Sequence, residues 1–60
     1  MKKFKNNKHG TIYLLLHHAI EATIVREGET FVVYRAEDGK ETIFVRDQDE
    51  FYENFTEIDD

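Results

Sequence analysis

The side chains able to do chemistry in this chain are few and scattered. They are the paired His17 and His18, the arginines Arg35 and Arg46 with Phe44 beside the second, the tyrosines Tyr13 and Tyr34, and the carboxylates Asp49, Glu50 and Glu53. The chain has neither serine nor cysteine to serve as a nucleophile. Its carboxylates fall in turns or on a helix surface, where nothing raises their pKa for general acid work, so the residues point away from an enzyme. His17 and His18 are adjacent, so in a strand their rings leave opposite faces and cannot grip one metal ion. A metal site would need His9 or Glu21 from a second copy, and neither a metal nor another cofactor is expected. Arg35 and Arg46, on neighbouring strands and flanked by Phe44, could form a cationic patch that grips a carboxylate or phosphate. With Tyr13 and Tyr34 the same residues could line a pocket for a small ligand or peptide. The plainer alternative is that both arginines pair with Glu37, Glu41 or the acidic C-terminal segment.

The elements that must position these residues are mostly strands. Two apolar runs, Phe31 to Ala36 and Glu41 to Arg46, flank the acidic turn Glu37-Asp38-Gly39-Lys40, which is a hairpin signature. Alternation puts Val32 and Tyr34 on one face and Phe31, Val33 and Arg35 on the other. On the partner strand, Ile43 and Val45 oppose Thr42, Phe44 and Arg46. Apolar groups on both faces predict a small curled antiparallel sheet closing towards a barrel. Upstream, Phe4 precedes the turn formers Asn6-Asn7-Lys8-His9-Gly10, which imply a first tight hairpin.

The stretch from Thr11 to Val25 reads as a long strand, with a helix of about four turns as the alternative. Ile12, Leu15, Leu16, Ala19 and Ile20 would share a helical stripe, but the β-branched and aromatic residues at both ends favour the strand. His17-His18-Ala19 breaks the alternation and marks a bulge or bend. Arg26-Glu27-Gly28-Glu29 forms the next turn. After Arg46, Asp47 caps a short helical turn and Glu50 completes a capping box, with Phe51 and Phe55 on the side facing the sheet. A single domain is expected over residues 1–58, followed by a frayed Asp59-Asp60 tail.

A chain of 60 residues buries only about 60% of the surface it exposes when unfolded, which leaves stability marginal. With no cysteine for disulfides or a thiolate zinc site, a homodimer is the expected source of extra stability. The net charge of -5 is unevenly spread. Lys2, Lys3, Lys5 and Lys8 lie near the N-terminus, whereas Asp47, Asp49, Glu50, Glu53, Glu57, Asp59 and Asp60 crowd the other end. Acidity of this order argues against direct nucleic acid binding and for docking on a partner with a basic surface. The N-terminus lacks a signal peptide's cleavage site and no apolar run reaches the roughly 20 residues of a spanning helix, so a cytoplasmic protein is expected.

Several segments together resemble a small bacterial and phage family, domain of unknown function 1653. They are Tyr13 to Leu16 with Ala19, Val32-Val33-Tyr34-Arg35-Ala36, Phe44-Val45-Arg46, and Glu50-Phe51 followed by Glu53. The resemblance implies an SH3-like β-barrel and no particular activity. Phe44 stands where the family usually has Trp, Asp47 where Pro is usual and His17 where Gly is usual, as in a divergent member carried by a phage or mobile element. The function expected is therefore that of a non-enzymatic protein-interaction module, phage- or prophage-encoded, which inhibits a host or anti-phage defence protein. Its contact would be the acidic segment with Asp49, Glu50 and Glu53, or an exposed sheet edge. The alternatives are the aromatic and arginine pocket above, or a purely structural homodimer.

Overall fold

A computed structural model describes residues 1–23 and 28–58. Five strands, β1 Lys3–Asn6, β2 Ile12–Ile20, β3 Thr30–Ala36, β4 Phe44–Asp47 and β5 Phe55–Ile58, form one antiparallel sheet, and α1 Gln48–Asn54 joins the last two. The strand order is β4-β3-β2-β1-β5. Strands β4 and β5 are edges that do not pair with each other, so the sheet is not closed into the expected barrel, and α1 connects the two edges.

Asn6 anchors the first hairpin. Its Oδ1 accepts from the backbone N–H groups of Lys8 and His9 at 2.9 and 2.8 Å, and Gly10 turns the chain at φ +76°. Strand β2 settles the alternative between strand and helix. Its helix-favouring leucines are held extended by ladders to β1 on one side and β3 on the other, because tertiary pairing outweighs local propensity. The register slips between Leu15 and His17, so Leu16 is an extra, bulged residue just ahead of the two histidines.

The second hairpin forms, but with a longer connection than the sequence implied. Strand β4 begins at Phe44, not Glu41, and residues 37–43 are loop. Asp38 Oδ1 accepts from the Lys40 N–H at 2.9 Å, and Gly39 takes φ +81°. This local side-chain turn competes with the ladder and delays pairing. Of the turn expected at Arg26-Glu27-Gly28-Glu29, Arg26 and Glu27 lie outside the described residues, as do the end of the expected long strand, Ile24 and Val25, and the Asp59-Asp60 tail. Gly28 has φ +95°.

Asp47 caps α1 through bonds to the N–H groups of Asp49 and Glu50. Glu50 does not complete a reciprocal box; its carboxylate turns to Arg46 at 2.9 Å. The helix ends at Phe55, which is already extended (φ -128°, ψ 145°) and begins β5. Strand β5 was not expected from the sequence. It forms because Phe55 can enter the core while the backbone pairs along β1, from Lys3 opposite Ile58 to Asn6 opposite Phe55.

The core lies on one face of the sheet, between it and α1. Phe4, Val32, Tyr34, Phe51 and Phe55 are buried there, with Tyr13 and Leu15 packed against them. Phe51 and Phe55, four residues apart, stack with centroids 4.3 Å apart and planes within 8°. Aromatic pairs of this kind contribute about 0.5–1.5 kcal/mol beyond the area they bury. Among the described residues no helix is long and apolar enough to cross a membrane.

Candidate functional site

The registers decide which candidate residues meet. Tyr13 lies opposite Phe4 on one side and Ala36 on the other, Leu15 opposite Tyr34, Tyr34 opposite Phe44, and Val32 opposite Arg46. Directly opposed residues share a face, so Tyr13, Tyr34, Phe44 and Arg46 all belong to the inner face. Arg35 lies opposite Leu14, out of phase with this set, and belongs to the outer face. The expected Arg35–Arg46 patch is therefore not formed, because the pleat sends the two guanidinium groups to opposite sides of the sheet.

Four of the sequence candidates converge on a cleft of about 330 Å³ at the open end of the inner face. It is lined by Tyr13, Tyr34, Phe44 and Arg46 together with Phe55, Asn6, Lys8, His9 and Asn54. Tyr13 is the hub of its aromatic floor. Its ring makes edge-on contacts with Tyr34 at 5.4 Å, Phe55 at 5.3 Å and Phe44 at 6.4 Å between centroids. Phe44 stacks on Tyr34 at 5.5 Å, yet stays 42% exposed. Tyr34 and Phe55 are buried, so Phe44 and the half-buried Tyr13 are the aromatic surfaces a ligand can reach.

Arg46 forms one wall. Its Nε donates to the Tyr34 hydroxyl at 3.2 Å, its Nη1 donates to Glu50 at 2.9 Å, and its guanidinium sits 5.4 Å from the centre of the Phe55 ring. The hydrogen bond to Tyr34 above all, with Glu50 adding to it, raises the Arg46 pKa, so its charge is permanent. Two of five N–H donors are engaged, and the rest are available to an incoming acceptor.

The opposite wall is the β1–β2 loop, which carries Lys8 and His9, both exposed. Besides the Asn6 bonds, the Asn7 N–H donates to the Asn54 carbonyl at 2.9 Å and the Thr56 hydroxyl donates to Asn7 Oδ1 at 2.6 Å. These bonds fasten the loop to α1 and β5. Among the described residues no aspartate or glutamate lines the cleft. It is thus a concavity edged by the basic side chains Lys8, His9 and Arg46 over an aromatic floor, with Arg46 partnered by Glu50 from outside the lining.

Asn6, Lys8, His9, Asn54 and Phe55 were not anticipated as site residues. The run Asn6 to Gly10 is a visible turn signal with a lysine and a histidine inside it. Its position over the floor depends on β5, which had no sequence signal of its own. The acidic candidates Asp49, Glu50 and Glu53 are exposed on α1 and do not line the cleft. His17 lies opposite Val33 and His18 opposite Val32, on opposite faces. His18 shares a 3.0 Å hydrogen bond with the Tyr52 hydroxyl and stacks on its ring.

Comparison with curated proteins and with solved structures returns no match. A family profile does match, over residues 2–59, a span that includes every residue lining the cleft. The chain belongs to the family described as Protein of unknown function (DUF1653).

Proposed function

We propose that this chain is a small, cytoplasmic, non-enzymatic recognition module whose contact site is the aromatic cleft. Its occupant is an extended peptide segment of another protein, carrying a carboxylate next to an apolar or aromatic side chain. The observation that carries this reading is the lining itself, with aromatic residues on the floor, Lys8, His9 and Arg46 around it, and no carboxylate among them. An aromatic-lined groove holds an extended chain by ring contacts. An arginine fixed by two bonds presents preorganised N–H donors to a carboxylate.

The test is selection from a random peptide display library. Enriched sequences should pair an acidic residue with a large apolar one. Binding should be lost in Phe44→Ala and Lys8→Glu variants that keep the far-ultraviolet dichroism of the parent chain. Enriched peptides without acidic residues, or equal binding by both variants, would overturn the reading.

A second surface supports the inhibitor role expected from the acidity, that of a phage- or prophage-borne protein blocking a host or defence protein. Asp49 and Glu53 lie four residues apart on the exposed side of α1, and Arg46 offsets only Glu50. That role requires a basic partner surface, and an Asp49→Asn/Glu53→Gln variant that retains every interaction of the parent would remove its support.

A further inference from the structure

The outer face of the sheet carries a self-complementary surface. Leu14, Arg35, Val33 and Val45 belong to it by register, and among the described residues no helix or further strand packs over it, because α1 lies on the inner side with the core. Where this face meets the β3–β4 loop is a second concavity of about 570 Å³, lined by Leu16, Arg35, Gly39, Glu41 and Ile43. Ile43, in its lining, is 54% exposed, and Val45, on the outer face by its register with Val33, is 64% exposed. Arg35 and Glu41 line the same concavity, yet neither makes an ion pair among the described residues.

We infer that this face binds a second copy of the chain about a twofold axis, with Arg35 of each copy meeting Glu41 of the other across Leu16, Ile43 and Val45. Three observations favour a second copy over a foreign partner. A twofold interface must be complementary to itself, and in Arg35 and Glu41 this one carries a cation and an anion that make no ion pair among the described residues and that two copies satisfy reciprocally. The charges on this face are of both signs, so they do not oppose the approach: Lys3 and Lys5 pair opposite the outer-face residues Leu14 and Ile12, Lys3 is bonded to Glu37 at 2.8 Å, Asp47 lies opposite Phe31, and Asp49, Glu50 and Glu53 are carried on α1. The size also fits. The two long dimensions of the molecule, 37 and 23 Å, set an upper bound on a broad face that is of the order of the roughly 800 Å² each partner contributes to a standard interface. The bulge at Leu16 has a role here, since the extra residue turns an apolar side chain into the concavity beside Arg35.

The experiment is sedimentation equilibrium on the full chain and on charge-reversal variants, at concentrations on the order of 100 μM and below. The parent chain should show dimer mass, and its melting temperature should rise with concentration. Arg35→Glu and Glu41→Arg should each weaken association about tenfold or more by placing like charges together, and the double reversal should recover most of the loss. Ile43→Asp changes an exposed side chain and should give a folded monomer by circular dichroism. Lys8→Glu, in the cleft, should leave the mass unchanged. A parent chain that stays monomeric at the highest concentration overturns the inference, as does a double reversal no tighter than the single ones. Neither result bears on peptide binding in the cleft.

Discussion

The Nε of Arg46 donates to the hydroxyl of Tyr34 across the β3–β4 pair at 3.2 Å, and through that bond a core residue holds a cleft residue in place. Tyr34 is buried, with its ring against Phe51, Phe55, Tyr13 and Phe44, while its hydroxyl reaches the cleft. The orientation of Arg46 is thus set from the protein side before a ligand arrives.

A double-mutant cycle reads this coupling. Tyr34→Phe keeps the ring and removes the acceptor, and should cost about 1 kcal/mol of unfolding free energy. Arg46→Ala should cost a similar amount through its lost hydrogen bonds and its lost contact with the Phe55 ring. The double variant should fall short of the sum by about 0.5–1 kcal/mol. Strict additivity in urea denaturation would show that the Tyr34 hydroxyl does not hold Arg46.

The cap on α1 offers a cleaner stability measurement. The Asp47 carboxylate accepts from two of the first backbone N–H groups of the helix, and no second cap replaces it because Glu50 is turned to Arg46. Asp47→Ala should destabilise the chain by about 1 kcal/mol, and Asp47→Asn by clearly less. In a domain this small, that loss lowers the melting temperature by roughly 4–8 °C. Equal effects of the two substitutions would argue that the contribution of Asp47 is its charge rather than its acceptor geometry.

How much could be read in advance follows from where the signals were local. Strand β3 and the faces of Val32, Tyr34 and Arg35 follow from a period of two in residues 31–36. The Asp47 cap and the Phe51–Phe55 side of the helix follow from spacing alone. Strand β5 left no trace, since Phe55 both ends the helix and opens the strand, with no turn residue between to punctuate them. The separation of Arg35 from Arg46 needed the pairing register, which joins Val32 to Arg46 and puts Arg35 out of phase. The cleft was half legible. Its floor residues were recognisable as aromatic and basic candidates, but Lys8 and His9 enter it only because the first loop is tied to Asn54 and Thr56, distant in sequence.

Phe51 should be the least replaceable side chain among the described residues. It is fully buried, stacks on Phe55, and meets Phe4, Tyr34 and Tyr52 at 5.1, 5.1 and 5.5 Å between centroids. Phe51→Ala should cost about 3–5 kcal/mol from lost burial and the cavity left behind. That is a large fraction of the stability a small domain has, so the variant should be substantially unfolded near 37 °C. Phe51→Leu, which keeps more of the volume, should fold with a lowered melting temperature. A cooperative, parent-like melt for Phe51→Ala would mean that the core can collapse around the gap.

Gly10 separates the geometry of the loop from its packing. A Cβ at this position would meet no atom within 4 Å, so a side chain there is opposed only by the backbone conformation, φ +76°. Gly10→Ala should therefore cost roughly 1–2 kcal/mol, and Gly10→Asn less, because asparagine tolerates the left-handed region. The same turn presents Lys8 and His9 to the cleft. If the loop is relaxed by Gly10→Ala but preserved by Gly10→Asn, the alanine variant should lose more peptide affinity than its folded fraction accounts for, and the asparagine variant should not. Titration of a selected acidic peptide against both variants, corrected for folded fraction, measures the difference. Equal corrected affinities would place the recognition at Phe44 and Arg46 alone and leave Lys8 and His9 out of the site.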